Sequence, residues 1–467
     1  MTSSLLAQAA TEGDLLAARN QMALSLGWHI VLACFGVAFP AMIFVLHRRG
    51  LRGDDAALEL AKRWSKVAAV LFAIGAVSGT ILSFEMGLLW PGLMERFGDV
   101  VGLAFALEGI AFFVEAIFLG IYIYGWKRLP GHAHSLMLLP VMAAGFLGTF
   151  FVVSVNAWMN APTGFDIVDG EVVDVDPLAA IFNGAVWWQY LHMLLAAYMV
   201  VGFCVAAVYA AGRLRGRDDR LHRLGLLVPL AFAAVATPLQ PIVGHFAGQR
   251  IADDQPVKLA AIEGLYETET AAPLILGGIY TDDELRYGIE IPIPGLLSFL
   301  AQNDGTAEVV GLDSVPEEDR PPVNVVRFAY QLMVGIGSSL VLLVAWFALT
   351  WRRRREPPAS PWFLRAVVVA GPAAVVAMEA GWVTTEVGRQ PWIVHEVLRT
   401  RDAVTDAGWI WISLGVLVVV YAAMTIGAVM VLRSMSRRWA AGERDLEAPY
   451  GPSRPLAEAG VGAGARR

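Results

Sequence analysis

Charge is scarce in this 467-residue sequence. Only 16% of its residues are Asp, Glu, Lys or Arg, against about 25% in a soluble domain. Cysteine is scarcer: there are two, Cys34 and Cys204. Both lie in apolar runs without a CxxC partner, which excludes a disulfide scaffold; both read as small buried apolar side chains. The sequence also has no H-x-x-H pair, no cysteine cluster and no internal repeat. The first twenty residues carry Glu12 and Asp14 and lack a basic stretch followed by a cleavage site. No cleavable signal peptide is therefore expected, and the first apolar helix is expected to direct insertion. Basic residues sit in short separate stretches, so nucleic acid is not an expected partner. The formal net charge of −7 says little, because the signs are sorted by position.

What is present is apolar length. Hydrophobic residues make up 57% of the chain, and mean hydropathy is +0.56. A bilayer core needs about 20 apolar residues per helix. Nine stretches meet that length, at approximately 22–46, 66–90, 101–126, 136–158, 185–212, 224–242, 327–351, 363–389 and 408–433. The sixth is the shortest. The fold class expected is an all-α integral membrane bundle of about nine transmembrane helices. The expected organisation is membrane helices over 1–242, a long extracytoplasmic loop over 243–326, membrane helices over 327–435, and a disordered cytoplasmic tail over 436–467.

Lysine and arginine asymmetry sets the expected orientation. The first loop has Arg48, Arg49, Arg52, Lys62 and Arg63, the third Lys127 and Arg128, and the fifth Arg213, Arg215, Arg217, Arg220 and Arg223. The seventh has Arg352 to Arg355, and the segment after the last span has Arg433 and Arg437. The second and fourth loops are poor in these residues, and the fourth is acidic (Asp166, Asp169, Glu171, Asp174, Asp176). The odd loops are therefore expected inside. The N-terminus and the long loop are expected outside and the C-terminus inside, in a bacterial cytoplasmic membrane.

An ionisable group at mid-membrane costs about 2.5–3.5 kcal/mol on insertion scales, so each one needs a reason. Of eight histidines, His47, His132, His134 and His222 fall in expected inner loops, and His245 and His395 in outer ones. Only His29 and His192 lie within spans. A lone membrane histidine is as often a structural hydrogen-bonding group as a ligand. Depth separates the two readings. With 1.5 Å of rise per residue, His29 lies roughly 10 Å inside the outer surface. His192, Glu108, Met333 and Glu386 fall at similar depth on four other helices. Random placement would scatter five potential metal ligands through the thickness. Imidazole and thioether are common axial ligands of haem iron, and a helix bundle offers the apolar cavity haem needs. Zinc, which wants four close ligands, fits poorly. Gly75, Gly79, Gly145 and Gly148 would make room for a cofactor or serve close helix packing. Glu108 and Glu115 are seven residues apart on one helix face. They suit a proton relay, or pairing with a neighbouring helix that has almost no basic residue to offer.

With these residues in place, the chain resembles subunit I of the cytochrome bd-type quinol oxidases, nearest to the short quinol-loop branch that includes cyanide-insensitive oxidases. The likeness spans about 15–435. Its segments are Arg19-x-Gln21 with Trp28-His29, Leu107-Glu108-Gly109 through Glu115, Asn156-Ala-Trp158-Met159 with Pro162-x-Gly164, and Lys258-Leu-Ala-Ala-Ile-Glu263. They continue with Met333-Val-Gly335, Glu379-Ala-Gly-Trp382 and Glu386-Val-Gly-Arg389-Gln-Pro-Trp392. The last two, in order with the others, are highly specific.

The resemblance implies a haem-containing subunit of a terminal oxidase that oxidises a membrane quinol, ubiquinol or menaquinol, and reduces O2 to water while generating proton-motive force. It implies that His192 and Met333 ligate a low-spin haem b. It implies that His29, Glu108 and Glu386 serve a high-spin haem b and a third high-spin haem, of d or b type. Trp382 would sit between haems, and Lys258 and Glu263 would bind the quinol and accept its protons. Arg19 and Arg389 would pair with haem propionates. A second membrane subunit and a small single-helix subunit are the implied partners. Alternatives are a quinone-linked b-type cytochrome that passes electrons to a partner without reducing oxygen, and a transporter using the membrane carboxylates. The sequence departs from the family's pattern at Gln331, where an arginine is usual, and at His245, where an aspartate is common.

Overall fold

The structure is a computed structural model that describes residues 2–280, 287–356 and 358–442. Helices begin where capping chemistry allows. Asp54, Asp176 and Asp219 accept backbone N–H bonds at three helix starts, and Pro91, Pro177, Pro256 and Pro361 occupy first turns, where a missing N–H costs nothing. In chain order the helices are α1 (Thr2–Gly50), α2 (Asp55–Leu89), α3 (Pro91–Tyr124), α4 (Gly131–Leu136), α5 (Leu138–Asn160), α6 (Pro177–Ile181) and α7 (Val186–Leu214). Then come α8 (Arg220–Asp254), α9 (Pro256–Glu263), α10 (Leu296–Gln302), α11 (Val323–Arg354), α12 (Pro361–Val387), α13 (Thr400–Ala403) and α14 (Ile410–Ala440).

Among the described residues nine helical segments are long and apolar enough to cross a membrane: α1, α2, α3, α4 with α5, α7, α8, α11, α12 and α14. Each covers one of the nine expected spans. The sixth is longer than its expected span. Its apolar run ends near 242, yet α8 continues to Asp254 because its last turns pack on α9 and α10. His245 is therefore helical. His47 and His134 likewise lie in α1 and α4, buried against Tyr122. The expected tail over 436–467 lies outside the described residues beyond 442.

Four short antiparallel strand pairs decorate one end of the bundle; three are hairpins, the largest pairing Leu274–Ile279 with Tyr287–Ile293, and the fourth joins Glu269–Thr270 to the distant Glu308–Val309. This end is the loop face; the arginine-rich turns lie at the other. Asp54 joins two of those turns, bonding Arg49 and Arg220 at 2.6 and 2.8 Å. Arg220 holds its carboxyl well below the usual carboxylate range.

Apolar burial divides into three clusters. One joins α1, α2, α7, α8, α11 and α12. A second joins α3, α5 and α6 to the segment around Ile393 and Leu398. The third is the core of the long loop, with Leu259, Ile262, Leu297 and Leu312 at its centre. The main cavity opens between the first two.

Candidate active site

His29 stands on α1, and its Nδ1 pairs with Ser78 Oγ of α2 at 2.8 Å. Ser78 in turn donates to the Gly75 carbonyl at 3.0 Å. That anchor fixes the ring and leaves Nε2 for a ligand, the arrangement typical of a metal-binding imidazole. The ring needs Gly79: a Cβ added there would lie 3.0 Å from His29 Cε1.

A cavity of about 1000 Å³ opens beside this ring. His29, Glu108, Glu115, Trp382, Glu386, Arg19 and Arg389 all line it. So do Gly75, Gly79, Gly145 and Gly148. Two of those glycines also serve close packing, since Cβ atoms at 75 and 145 would lie 3.6 and 3.5 Å from α1. Glu386 accepts from Arg389 Nη2 at 2.6 Å and from Asn156 Nδ2. Arg19 Nη2 donates to Gln390 Oε1 at 2.6 Å.

Several buried donors here have no protein partner among the described residues: Arg19 Nε, and Arg389 Nε and Nη1. A buried unsatisfied donor is costly, so guanidinium groups aimed at a large apolar cavity call for an anionic group inside it. Haem, with an apolar macrocycle and two propionates, fits this donor set. Among the described residues no group of three or more His, Cys, Asp or Glu could hold a bare metal ion.

His192 and Met333 lie outside this lining. His192 on α7 is partly buried, and its buried Nδ1 has no partner among the described residues; Gly244 of α8 faces it, and a Cβ there would stand 3.2 Å from His192 Cε1. Met333 on α11 faces Gly381 of α12, where a Cβ would stand 3.0 Å from Sδ. Trp382, the next residue, lines the main cavity.

Lys258 and Glu263 are not on a solvated helix face. α9 is buried, and the two side chains are 3% and 7% exposed. Lys258 Nζ donates to Asn160 Oδ1 at 2.9 Å and Gln255 Oε1 at 3.1 Å. Burial, helped by nearby Arg389, lowers its pKa to about 7. Burial raises the Glu263 carboxyl to about 7, against an opposing pull from Arg327. Gly264 ends α9 at φ +64°, and a Cβ there would strike Arg327 Nη1 at 2.8 Å. Arg327 also donates to the Glu263 carbonyl and to Ile275 O at 3.0 Å, clamping the loop to the start of α11.

Sequence reasoning missed roles for Asn160, Arg327, Glu85 and Glu379. The first two carry no spacing signal. The other two did: both are carboxylates within spans, and membrane cost alone singles them out. Glu85 accepts from Gln21 Nε2 at 2.9 Å. Glu379 Oε1 is buried without a partner, and its Oε2 faces Gly27.

Nine membrane-length helices among the described residues, a cavity ringed by histidine, carboxylates and arginines, and a buried loop beside it have the form of a membrane protein built to hold a large, apolar, anionic group. The family model described as cytochrome bd terminal oxidase subunit I matches residues 17–439, and the chain belongs to that family. It is similar to the putative cytochrome bd menaquinol oxidase subunit I of Bacillus subtilis (strain 168), 36% identical over 90% of this chain and 96% of that one. It is also similar to the cytochrome bd ubiquinol oxidase subunit 1 of the same organism, 30% identical over 90% of this chain and 92% of that one. Its fold matches the bd oxidase from Geobacillus thermodenitrificans with a TM-score of 0.85, at 37% identity over 91% of this chain and 98% of that one.

Proposed function

We infer that the chain oxidises a membrane quinol and delivers the electrons to oxygen, the work of the terminal respiratory oxidases to whose family it belongs. The observation that carries the reading is the single cavity where His29, Glu108 and Glu386, from three helices, meet the unpartnered guanidinium atoms of Arg19 and Arg389.

His192 and Met333 would hold a low-spin haem b; the two glycines that cradle their side chains support this pairing. His29, Glu108 and Glu386 would hold a high-spin haem b and a third high-spin haem, d or b, with Arg19 and Arg389 on propionates. These groups supply one-electron carriers and the iron at which oxygen is reduced. Lys258 would donate to a quinol oxygen, and Glu263 would take a quinol proton. Glu115, two turns below Glu108 on the same face of α3, would pass protons to Glu108 from the arginine-rich side. Trp382 would separate the low-spin group from the cavity.

The basic turns gathered at one end support an inside location for that end. The loop face then lies outside, in a bacterial cytoplasmic membrane, and quinol protons are released there while oxygen's protons come from inside. Membrane quinol, ubiquinol or menaquinol, and O2 are the substrates. A second membrane subunit and a small single-helix subunit complete the proposed assembly.

A reduced-minus-oxidised spectrum of the purified protein, with and without CO, tests the reading. One low-spin and at least one CO-reactive high-spin signal are expected. A low-spin signal alone would overturn it.

A further inference from the structure

Two asparagine side chains run between Lys258 of the buried loop and Glu386 of the cavity. Lys258 Nζ donates to Asn160 Oδ1 at 2.9 Å. Asn160 Nδ2 donates to the Asn156 carbonyl at 2.8 Å and, more weakly, to Asn156 Oδ1 at 3.3 Å. Asn156 Nδ2 donates to Glu386 Oε1. Glu386 Oε2 accepts from Arg389 at 2.6 Å. Three elements distant in sequence, α9, the end of α5 and the end of α12, are thereby strung on one hydrogen-bonded line.

Chemistry fixes the direction of that line. Amide oxygen and nitrogen are ordinarily interchangeable in shape. Here an ammonium, which only donates, stands at one end, and a carboxylate, which accepts, stands at the other. Turning Asn160 over would set N–H against N–H; turning Asn156 over would set oxygen against oxygen. Both amide dipoles therefore point the same way. Aligned hydrogen bonds in a low-dielectric interior polarise one another, and Lys258 and Asn160 are each only 3% exposed, so water does little to screen them.

Lys258 has three N–H donors. Asn160 and Gln255 take two of them, which leaves one for a bound oxygen. A quinol that accepts it draws on the same nitrogen that holds Asn160. A plain capping role for the asparagines accounts for the bond to the Asn156 carbonyl, but it needs neither Lys258 nor Glu386.

We propose that Asn156 and Asn160 are positioning residues that couple occupancy of the quinol site at Lys258 to the high-spin haem site at Glu386. The proposal rests on reading Lys258 as a quinol donor and Glu386 as part of the haem site.

The test uses the holoenzyme, fully reduced and without oxygen, so that duroquinol binds and does not turn over. CO rebinding at the high-spin site after photolysis is timed with and without saturating duroquinol. In the parent enzyme duroquinol should change the rate by about fivefold if the rate follows CO affinity, for which fivefold is the low end of site-to-site couplings. In Asn160→Leu the change should vanish while the low-spin haem spectrum stays as in the parent. Asn156→Asp, the same size but with an acceptor turned on Glu386, should do likewise, and it carries the test if Asn160→Leu does not assemble. A purely structural role would not remove a ligand-dependent shift. Lys258→Met separates the two layers of the argument. If its duroquinol KM is unchanged, the quinol reading fails. If its KM rises but the asparagine variants keep the full shift, or the parent shows none, the coupling is overturned.

Discussion

Gly381 of α12 is cut to the shape of Met333 of α11: a Cβ on the glycine would stand 3.0 Å from the thioether sulfur. Gly244 stands in the same relation to His192, at 3.2 Å. Close approach of one helix to the reactive atom of another is what glycine permits and alanine does not. Gly381→Ala should therefore push the sulfur from its position and weaken thioether ligation of the low-spin haem. Thioether ligation raises a haem's potential. A tenfold weakening in the reduced state should lower the midpoint by about 60 mV for one electron. Potentiometric titration of the low-spin band checks this; an unchanged midpoint would remove Met333 from the ligand set.

The acid pair of α3 should separate by role. Glu115→Gln keeps size and hydrogen bonding but cannot carry a proton. Oxygen consumption should fall at least about tenfold, below the range usual for a lost proton-transfer group, with the low-spin spectrum intact. Turnover equal to the parent's would exclude Glu115 from the relay. Glu108→Gln should alter the high-spin spectrum as well, since Glu108 stands higher on the same cavity wall.

Lys258 and Glu263 both titrate near pH 7, from opposite directions. Lys258 is cationic, and a full donor, below that pH and loses its charge above it. Glu263 is protonated below and accepts a proton only above. The competent pair, cation with anion, is thus most populated around pH 7 and declines on both sides. Quinol kcat/KM should be bell-shaped. Glu263→Gln should abolish the acid limb at low residual activity, and Lys258→Arg should move the alkaline limb upward, because a guanidinium does not lose its proton there. A pH-independent kcat/KM in the parent would show that neither group governs the step.

The unpartnered atoms of Arg389 predict where haem retention is most fragile. A hydrogen bond to a charged group contributes about 1.5–3 kcal/mol, which is roughly ten- to a hundredfold in affinity. Arg389→Ala should therefore lower the ratio of high-spin haem to protein after purification, and Arg19→Ala should do so less, having one unpartnered nitrogen where Arg389 has two. Pyridine haemochrome quantification decides it. Full haem content in Arg389→Ala would show that Arg389 does not anchor the group.

Much of the fold was legible in the sequence, and the reason is local. Whether a segment spans a bilayer depends on its own apolar length, so the nine runs correspond to nine membrane-length helical segments among the described residues. The misplaced polar residues were legible for the same reason: a histidine or carboxylate in such a run costs free energy wherever the chain goes next. Depth arithmetic then put His29, His192, Glu108, Met333 and Glu386 in one layer; His29, Glu108 and Glu386 share one cavity, and His192 and Met333 lie outside its lining.

Tertiary structure decided what no window of sequence holds. Arg19 meets Gln390 across 371 positions and His29 meets Ser78 across 49. That Lys258 is buried, that its charge is poised near neutrality, and that two asparagines tie it to Glu386 all follow from packing α9 beneath the turn after α12. A pKa and a hydrogen bond are set by neighbours in space. The sequence by itself determined which residues needed a reason to be in the membrane; only the packing of helices around one cavity decided which of them share it.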